Sequence, residues 1–250
     1  MKIGLLSDCH GNLEGLKRAT DILNNAGAEL LVCLGDIVGY GPDSPACIDY
    51  VKENFPIVLA GNHDHALVEK MSMALYQDYA IEAILYAKNQ LDSNQVDYLS
   101  SLPLSYELKQ DRFRIFLSHA HPVDYENWCY HPKDPYFELQ GEGEDEIGIA
   151  FFGHTHQARF YVSSESGEQQ VPRNFQPYSL KDQYGKTLVV NVGSCGQPRD
   201  SDTRTSSVLL DTRKEELTFL RGEYPIESVQ IKMEKAGLST FLIERLNYGR

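Results

Sequence analysis

Ile3-Gly4-Leu5-Leu6-Ser7-Asp8-Cys9-His10-Gly11-Asn12-Leu13-Glu14-Gly15-Leu16 decides the fold. Ile3–Ser7 is an almost continuous apolar run, the pattern of a strand buried on both faces. From Asn12 the pattern changes: Leu13, Leu16, Ala19 and Leu23 recur on one helical face, with a stop near Gly27. Leu30–Leu34 reads as a second apolar strand, Cys47–Asn54 as a short helix and Ile57–Ala60 as a third strand. This β-α-β-α-β rhythm predicts an α/β chain with a largely parallel sheet and helices packed on it. Functional groups in such sheets collect beyond the carboxyl ends of the strands. Asp8, Asp36 and Asn62 each stand just after a strand.

Farther along, one or two helices are expected between Gln77 and Leu102, ended by Pro103. Strands are expected at Phe113–Leu117, Ile147–Phe152, Arg159–Val162 and Thr187–Val192, and a hairpin at Ser207–Asp211 and Glu216–Arg221. Pro122–Gly143 reads as a long surface loop, and the tail from Pro225 to Arg250 as helical. There is no repeat, low-complexity tract or linker. One domain spanning 1–250 is expected, with a helical insertion over about residues 72–102 and a lid loop over about 122–146.

The 250 residues are 42% hydrophobic and 24% charged, enough to bury a core without disulfides. The net charge of -13 argues against a nucleic-acid backbone or an anionic membrane as partner. An anionic substrate would need bound divalent metals to reverse that sign locally. The five cysteines are odd in number and lack any CxxC, which suits reduced thiols. Met1–Leu6 is too short for a signal peptide, and no apolar stretch reaches the ~20 residues that span a bilayer. A cytoplasmic protein is expected.

Five polar clusters end the predicted strands: Asp8–Asn12, Gly35-Asp36, Gly61-Asn62-His63-Asp64, Ser118-His119 and Gly153-His154-Thr155-His156. Asp8 and His10, two apart on a strand exit, are able to face one ion. Asp36 follows a wholly apolar strand, where a carboxylate is costly to bury unless paired or metal-bound. It is the candidate ligand shared by two ions. Asn62 offers a neutral carbonyl oxygen, and His63 points elsewhere, toward substrate. Asp64 orients His63 or caps the next helix. His154 and His156 present two imidazoles to two different ions. Five of the eight histidines fall in these clusters, and His121 is an alternative ligand to His119.

As a set, these motifs resemble the calcineurin-like metallophosphoesterase superfamily over the span from Ile3 to Val192. The resemblance implies a four-layer α/β/β/α sandwich with two central mixed β-sheets. It implies Asp8, His10, Asp36 and His156 on one metal, and Asp36, Asn62, His119 and His154 on the other, with His63 beside the leaving group. Gly35–Asp43 and Asn191–Asp200 further resemble small bacterial and archaeal phosphoesterases, some of which cleave diadenosine tetraphosphate or simple phosphodiesters.

The chemistry so implied is hydrolysis of a phosphodiester or phosphoanhydride by a hydroxide shared between two metals, with a protonated His63 assisting the leaving oxygen. The donor set suits Mn²⁺ or Fe, and Zn²⁺ is admissible. The partner expected is a small phosphorylated substrate, a nucleotide. Tyr40 is the candidate for stacking on a base and Arg199 for holding a phosphate, whereas Arg204 reads as a surface ion pair. A cyclic-nucleotide or general phosphodiesterase, a phosphoprotein phosphatase and a non-catalytic interaction module on the same fold are the alternatives.

Overall fold

Ile3 and Leu5 of strand β1 (Lys2–Leu6) point to one side and Leu6 to the other, and all three are fully buried. That two-sided burial explains the apolar run and makes β1 a central strand. The computed structural model describes residues 1–121, 128, 146–162, 169–170, 175–181, 183–184 and 187–250. After β1 come α1 (Leu13–Asn25), β2 (Leu30–Cys33), α2 (Ser44–Asn54), β3 (Ile57–Val58) and α3 (Asn62–Leu67). Helices α4 (Asp78–Lys88) and α5 (Ser93–Ser101) follow, then β4 (Ser105–Gln110), β5 (Phe113–Ser118), β6 (Ile147–Phe152) and β7 (Arg159–Val162). The remainder is β8 (Gln169–Gln170), β9 (Tyr178–Ser179), β10 (Thr187–Asn191), β11 (Thr205–Asp211), β12 (Glu216–Gly222), α6 (Ile226–Lys235) and α7 (Thr240–Arg245).

The strands form two six-stranded sheets, ordered β3-β2-β1-β11-β12-β9 and β4-β5-β6-β10-β7-β8. Both are mixed. β1, β2 and β3 run parallel, while β11 pairs antiparallel with β1 and β12 antiparallel with β11. In the second sheet β5, β6 and β10 are parallel, with antiparallel β4 and β7 beside them. Ile3, Leu5, Val208 and Leu210 of the first sheet meet Ile115, Ile149, Phe151 and Val190 of the second in a shared core. On the far side of the first sheet, Leu6 and Cys33 pack on Leu16 and Leu23 of α1, Val51 of α2 and Leu99 of α5. The outer face of the second sheet buries Phe116, Ala150 and Phe152 against Trp128 and Tyr161. Two mixed sheets flanked by helices are the architecture expected.

Asn12 caps α1 by accepting a hydrogen bond from Gly15 N at 2.9 Å. Helices α6 and α7 build the expected helical tail and pack with α4 around Tyr40. Lys232 of α6 ties this unit down by reaching Glu14 and Asp43, each at 2.6 Å. Cys9, Cys33, Cys47 and Cys195 are buried free thiols, as expected, and Cys129 lies outside the described residues. No described helix is long and apolar enough to cross a membrane.

Two local readings change, and a third falls outside the described residues. The third strand stops at Val58 instead of Ala60, and Asn62-His63-Asp64 form the first turn of a short helix. Edge strand β4 was not anticipated, because its Tyr106, Glu107 and Lys109 face solvent and leave no apolar run. The proposed lid at 122–146 lies outside the described residues apart from Trp128 and Glu146.

Phe151 is fully buried between the sheets. Phe151→Ala is expected to lower stability by about 3–5 kcal/mol, read as a reduced urea midpoint with little change in slope.

Candidate metal centre

Parallel strands β1, β2 and β3 of one sheet and β5 and β6 of the other deliver the polar clusters to one edge of the sandwich. Backbone hydrogen bonds then lock the loops together. Asp8 N donates to Gly35 O at 3.0 Å, His10 N to Asp36 O at 2.9 Å and Gly153 N to His119 O at 2.9 Å. Cys195 N donates to Ser7 O at 2.9 Å, drawing in the loop after β10. Asp8, His10, Asp36, Tyr40, His154 and His156 all adopt left-handed backbone, with φ between 48° and 62°. Such conformations disfavour side chains with a Cβ, and they cluster here because the strand exits must turn sharply toward one point.

The tautomers of three histidines follow from their partners. Nδ1 of His10 donates to Val38 O at 3.0 Å, that of His119 to Leu34 O at 2.9 Å and that of His156 to Gln197 O at 2.6 Å. A carbonyl only accepts, so each Nδ1 carries a proton and each Nε2 faces the site. His10 Nε2 and His156 Nε2 face each other at 3.1 Å, and His156 Nε2 lies 3.2 Å from Asp8 Oδ1. Asp8 Oδ1 and His119 Nε2 are buried with no hydrogen-bond partner. Imidazole nitrogens and a carboxylate oxygen converging in a buried cluster fit a cation between them, and imidazole held at its far nitrogen is the usual form of a metal ligand.

Two donor sets emerge, Asp8 with His10 and His156, and Asp36 with His119 and His154. A third grouping joins His10, Asp36 and His63. Asp36 stands between the two sets: its Oδ2 lies 3.5 Å from His10 Nε2 and 3.3 Å from His119 Nε2. Its Oδ1 accepts from His63 N at 2.8 Å. A Cβ on Gly61 would sit 2.1 Å from Asp36 Oδ1, so only glycine admits this carboxylate. Asn62 Nδ2 donates to Tyr76 Oη at 2.7 Å, which turns its carbonyl oxygen toward His154 Nδ1 at 2.9 Å. Every metal ligand expected from sequence therefore reaches the cluster, and His121 is not in either set.

The electrostatics match. Burial opposes ionisation of Asp8 and Asp36, yet His156 beside Asp8 and His119 beside Asp36 hold both carboxyls below the usual range. Burial pushes His154 and His63 down to about 4 and lowers His10 and His156 as well. His119 goes the other way: burial resists charge, but Asp36 and Asp8 raise it to about 9, so the pocket attracts positive charge at that edge. For His63 the downward direction favours the neutral imidazole.

Of the two roles open to Asp64, the helix cap is the one seen, and the carboxylate does not hold the His63 ring. Its Oδ1 accepts from Ile37 N and Val38 N at 3.0 and 3.2 Å, and its Oδ2 from Gly61 N at 2.9 Å. It caps α3 and clamps the loop that carries Asp36, although burial and the Asp36 charge push it up to about 7. Tyr40 is 8% exposed and packed against the rings of His10 and His63, both at 4.5 Å, so little of its ring is open to a base. His63 is set from its other side by Gly39, whose φ is +90° and whose Cβ would sit 2.5 Å from His63 Nδ1.

Asp36, Asn62, His63, His154 and His156 open into a cavity of about 260 Å³ also lined by Tyr40, Tyr76, Tyr79, Leu75, Trp128 and Arg199. Arg199 stands where a phosphate contact was expected; its Nη2 donates to Gln197 Oε1 at 2.7 Å and its buried Nε has no partner. Arg204 pairs with Asp202 at 2.7 Å, as the surface reading had it. Tyr76 and Trp128 were not singled out, since isolated aromatics carry no local signal of a site.

Residues 1–215 match the calcineurin-like phosphoesterase superfamily domain. An uncharacterized protein of Methanocaldococcus jannaschii is 32% identical over 248 residues, 99% of this chain and 98% of its own. A metallophosphoesterase from Sphaerobacter thermophilus, 28% identical, has the same fold with a TM-score of 0.77, covering 100% of this chain and 99% of that one. Phosphodiesterase YfcE of Escherichia coli is 23% identical over 171 residues, 67% of this chain and 74% of its own.

The shared carboxylate makes a stoichiometric prediction. Elemental analysis should find up to two transition-metal ions per folded chain. Asp36→Ala should lose both, whereas His156→Ala should retain one. Two ions retained in Asp36→Ala would show that the sets do not share it.

Proposed function

The chain belongs to the calcineurin-like phosphoesterase superfamily and is a metal-dependent phosphoesterase; from that premise we propose that it hydrolyses a small phosphodiester or phosphoanhydride bearing a nucleoside, of the diadenosine tetraphosphate kind. The observation that carries this reading is the cavity. Metal-ligand candidates Asp36, Asn62 and His154 share its walls with Arg199 and with Tyr79, Leu75 and Trp128. A charged reacting group and a flat apolar group are thereby accommodated side by side. A relative that bears the name phosphodiesterase supports the diester half of the reading.

In this proposal Asp8, His10, Asp36 and His156 hold one ion, and Asp36, Asn62, His119 and His154 the other. Mn²⁺ or Fe is favoured by the mixed oxygen and imidazole donors, and Zn²⁺ would be accepted. Bound, the pair supplies an acidified water at neutral pH and offsets negative charge on the phosphoryl oxygens. The protein's own residues do the rest. Tyr40 and Gly39 hold the His63 ring beside the ligand cluster. His63, neutral and with Nδ1 free of protein partners, offers an N–H to the departing oxygen. Arg199 receives a non-bridging phosphoryl oxygen, which replaces the partner its Nε lacks. Asp64 is a positioning residue that fixes the Asp36 loop.

Metal-loaded protein should cleave bis(p-nitrophenyl) phosphate faster than p-nitrophenyl phosphate, and EDTA should abolish both activities. A preference for the monoester would overturn the diester assignment. His63→Ala should keep its metals and lose roughly 10²-fold or more in kcat with an unactivated alkyl leaving group. The loss should be smaller with p-nitrophenolate, whose delocalised charge depends less on that hydrogen bond.

A further inference from the structure

Among the metal-ligand candidates Asn62 is the one carboxamide. Its side chain ends in a carbonyl oxygen with lone pairs and an NH₂ with none to offer, and the two ends have nearly the same shape. Only the oxygen is able to meet an ion. Shape does not decide which end faces the cluster, so hydrogen bonding must.

The partner that decides it comes from the segment between α3 and α4. Asn62 Nδ2 donates to Tyr76 Oη at 2.7 Å, and Asn62 Oδ1 lies 2.9 Å from His154 Nδ1 inside the donor cluster. A phenol both donates and accepts, so this bond alone leaves the amide free to turn over. Met71 removes that freedom. Tyr76 Oη donates to Met71 Sδ at 3.7 Å, and a thioether only accepts. The bond to sulfur is weak, but it gives the hydroxyl proton a place away from Asn62. Tyr76 then presents a lone pair to the amide, which the NH₂ must meet, and the carbonyl is turned to the donor cluster.

Tyr76 is well fixed for this task. Its backbone N donates to Met73 O at 3.0 Å, and its ring stands edge-on to that of His63 at 5.2 Å. The ring also packs against both the core under α1 and α2 and the α4–α6–α7 unit. Met71 and Tyr76 line the cavity together with Asp36, Asn62, His63 and His154. The connection from α3 to α4 therefore does more than wall the cavity.

We propose that Tyr76, with its hydroxyl steered by Met71, is a positioning residue for the ion of Asp36, Asn62, His119 and His154: it holds the Asn62 carbonyl toward that ion. The proposal rests on the phosphoesterase reading and deepens it. The ion of Asp8, His10, Asp36 and His156 has no amide among its ligands, so it does not depend on Tyr76.

Tyr76→Phe deletes the hydroxyl and keeps the ring. Metal-stripped protein is titrated with Mn²⁺, and free Mn²⁺ is read from its electron paramagnetic resonance signal. Tyr76→Phe should weaken one of the two Mn²⁺ sites by about 10–100-fold and leave the other within about twofold. In a His156→Ala background, which keeps the Asn62 set intact, the full loss should persist. A carboxylate has an oxygen at either end and needs no such steering, so in an Asn62→Asp background Tyr76→Phe should cost less than about threefold. Hydrolysis of bis(p-nitrophenyl) phosphate by Tyr76→Phe should be low at limiting Mn²⁺ and recover in excess. Unchanged affinity at both sites, equal weakening of both, or an undiminished loss in the Asn62→Asp background would overturn the role of Tyr76. Wild-type protein that binds no Mn²⁺ and leaves the diester intact sinks the phosphoesterase reading. Two ions bound in wild type with Tyr76→Phe unaltered sink the positioning role alone.

Discussion

Two buried carboxylates and a ring of buried imidazoles share one dry pocket, and the structure around them is organised by that electrostatic constraint. Asp8 is 0% and Asp36 1% exposed. So little of them meets solvent that the charge is met mainly by cations or by fixed dipoles. The protein supplies only part of this. His63 N and His154 N donate to Asp36 and Asp8 at 2.8 and 3.0 Å, but Asp8 Oδ1 and His119 Nε2 are left without partners. Divalent ions complete such a site, which is why the buried polar groups are tolerated at this edge of an otherwise apolar sandwich.

Holding that arrangement has a conformational consequence. Six residues of the centre occupy left-handed backbone, a strain of roughly 1–3 kcal/mol each. It persists because the surrounding bonds over-determine it. The Asp8–Gly11 segment is laced to Gly35–Ile37 by successive backbone hydrogen bonds, and Asp64 gathers Ile37 N, Val38 N and Gly61 N from below. Removing Asp64 would therefore act on metal geometry through the loop, although its carboxylate touches neither donor set. The extensive inter-sheet core provides the rigid base on which these loops are anchored.

The sequence exposes this centre unevenly, for physical reasons. Metal-ligand candidates were legible because each had to follow a buried strand, and an apolar run broken by Asp, Asn or His is a local signal. The apolar runs of β1, β2, β5, β6 and β10 were legible for the same reason. What Tyr40 does was not legible. Its placement between His10 and His63 depends on residues 30 and 23 positions away and on the α6–α7 unit beyond. Asp64 lies next to His63 in sequence, but α3 turns its carboxylate toward backbone amides instead of the ring. Strand β4 escaped because an exposed edge needs no apolar face. The pairing of Tyr79 with Phe241 joins segments with no shared periodicity, so only the folded chain reveals it.

The net charge of -13 sharpens the meaning of the remaining cations. An acidic surface repels phosphate substrates at long range, though physiological salt screens that field over about 8 Å. Recognition must then be local. Arg221 is 6% exposed and bound to Asp200, so its charge is spent on bracing the loop that carries Arg199. Lys232 is spent on Glu14 and Asp43, fixing α6 against the loop that carries Tyr40. Neither presents a free charge to a ligand, yet both position elements that do. Cations with acidic partners build the frame, and the arginine at the cavity wall is held by an amide oxygen and the face of the Tyr40 ring. That division lets a strongly acidic protein keep a positive local field where a phosphoryl group would sit, without a basic surface that would also attract nucleic acid.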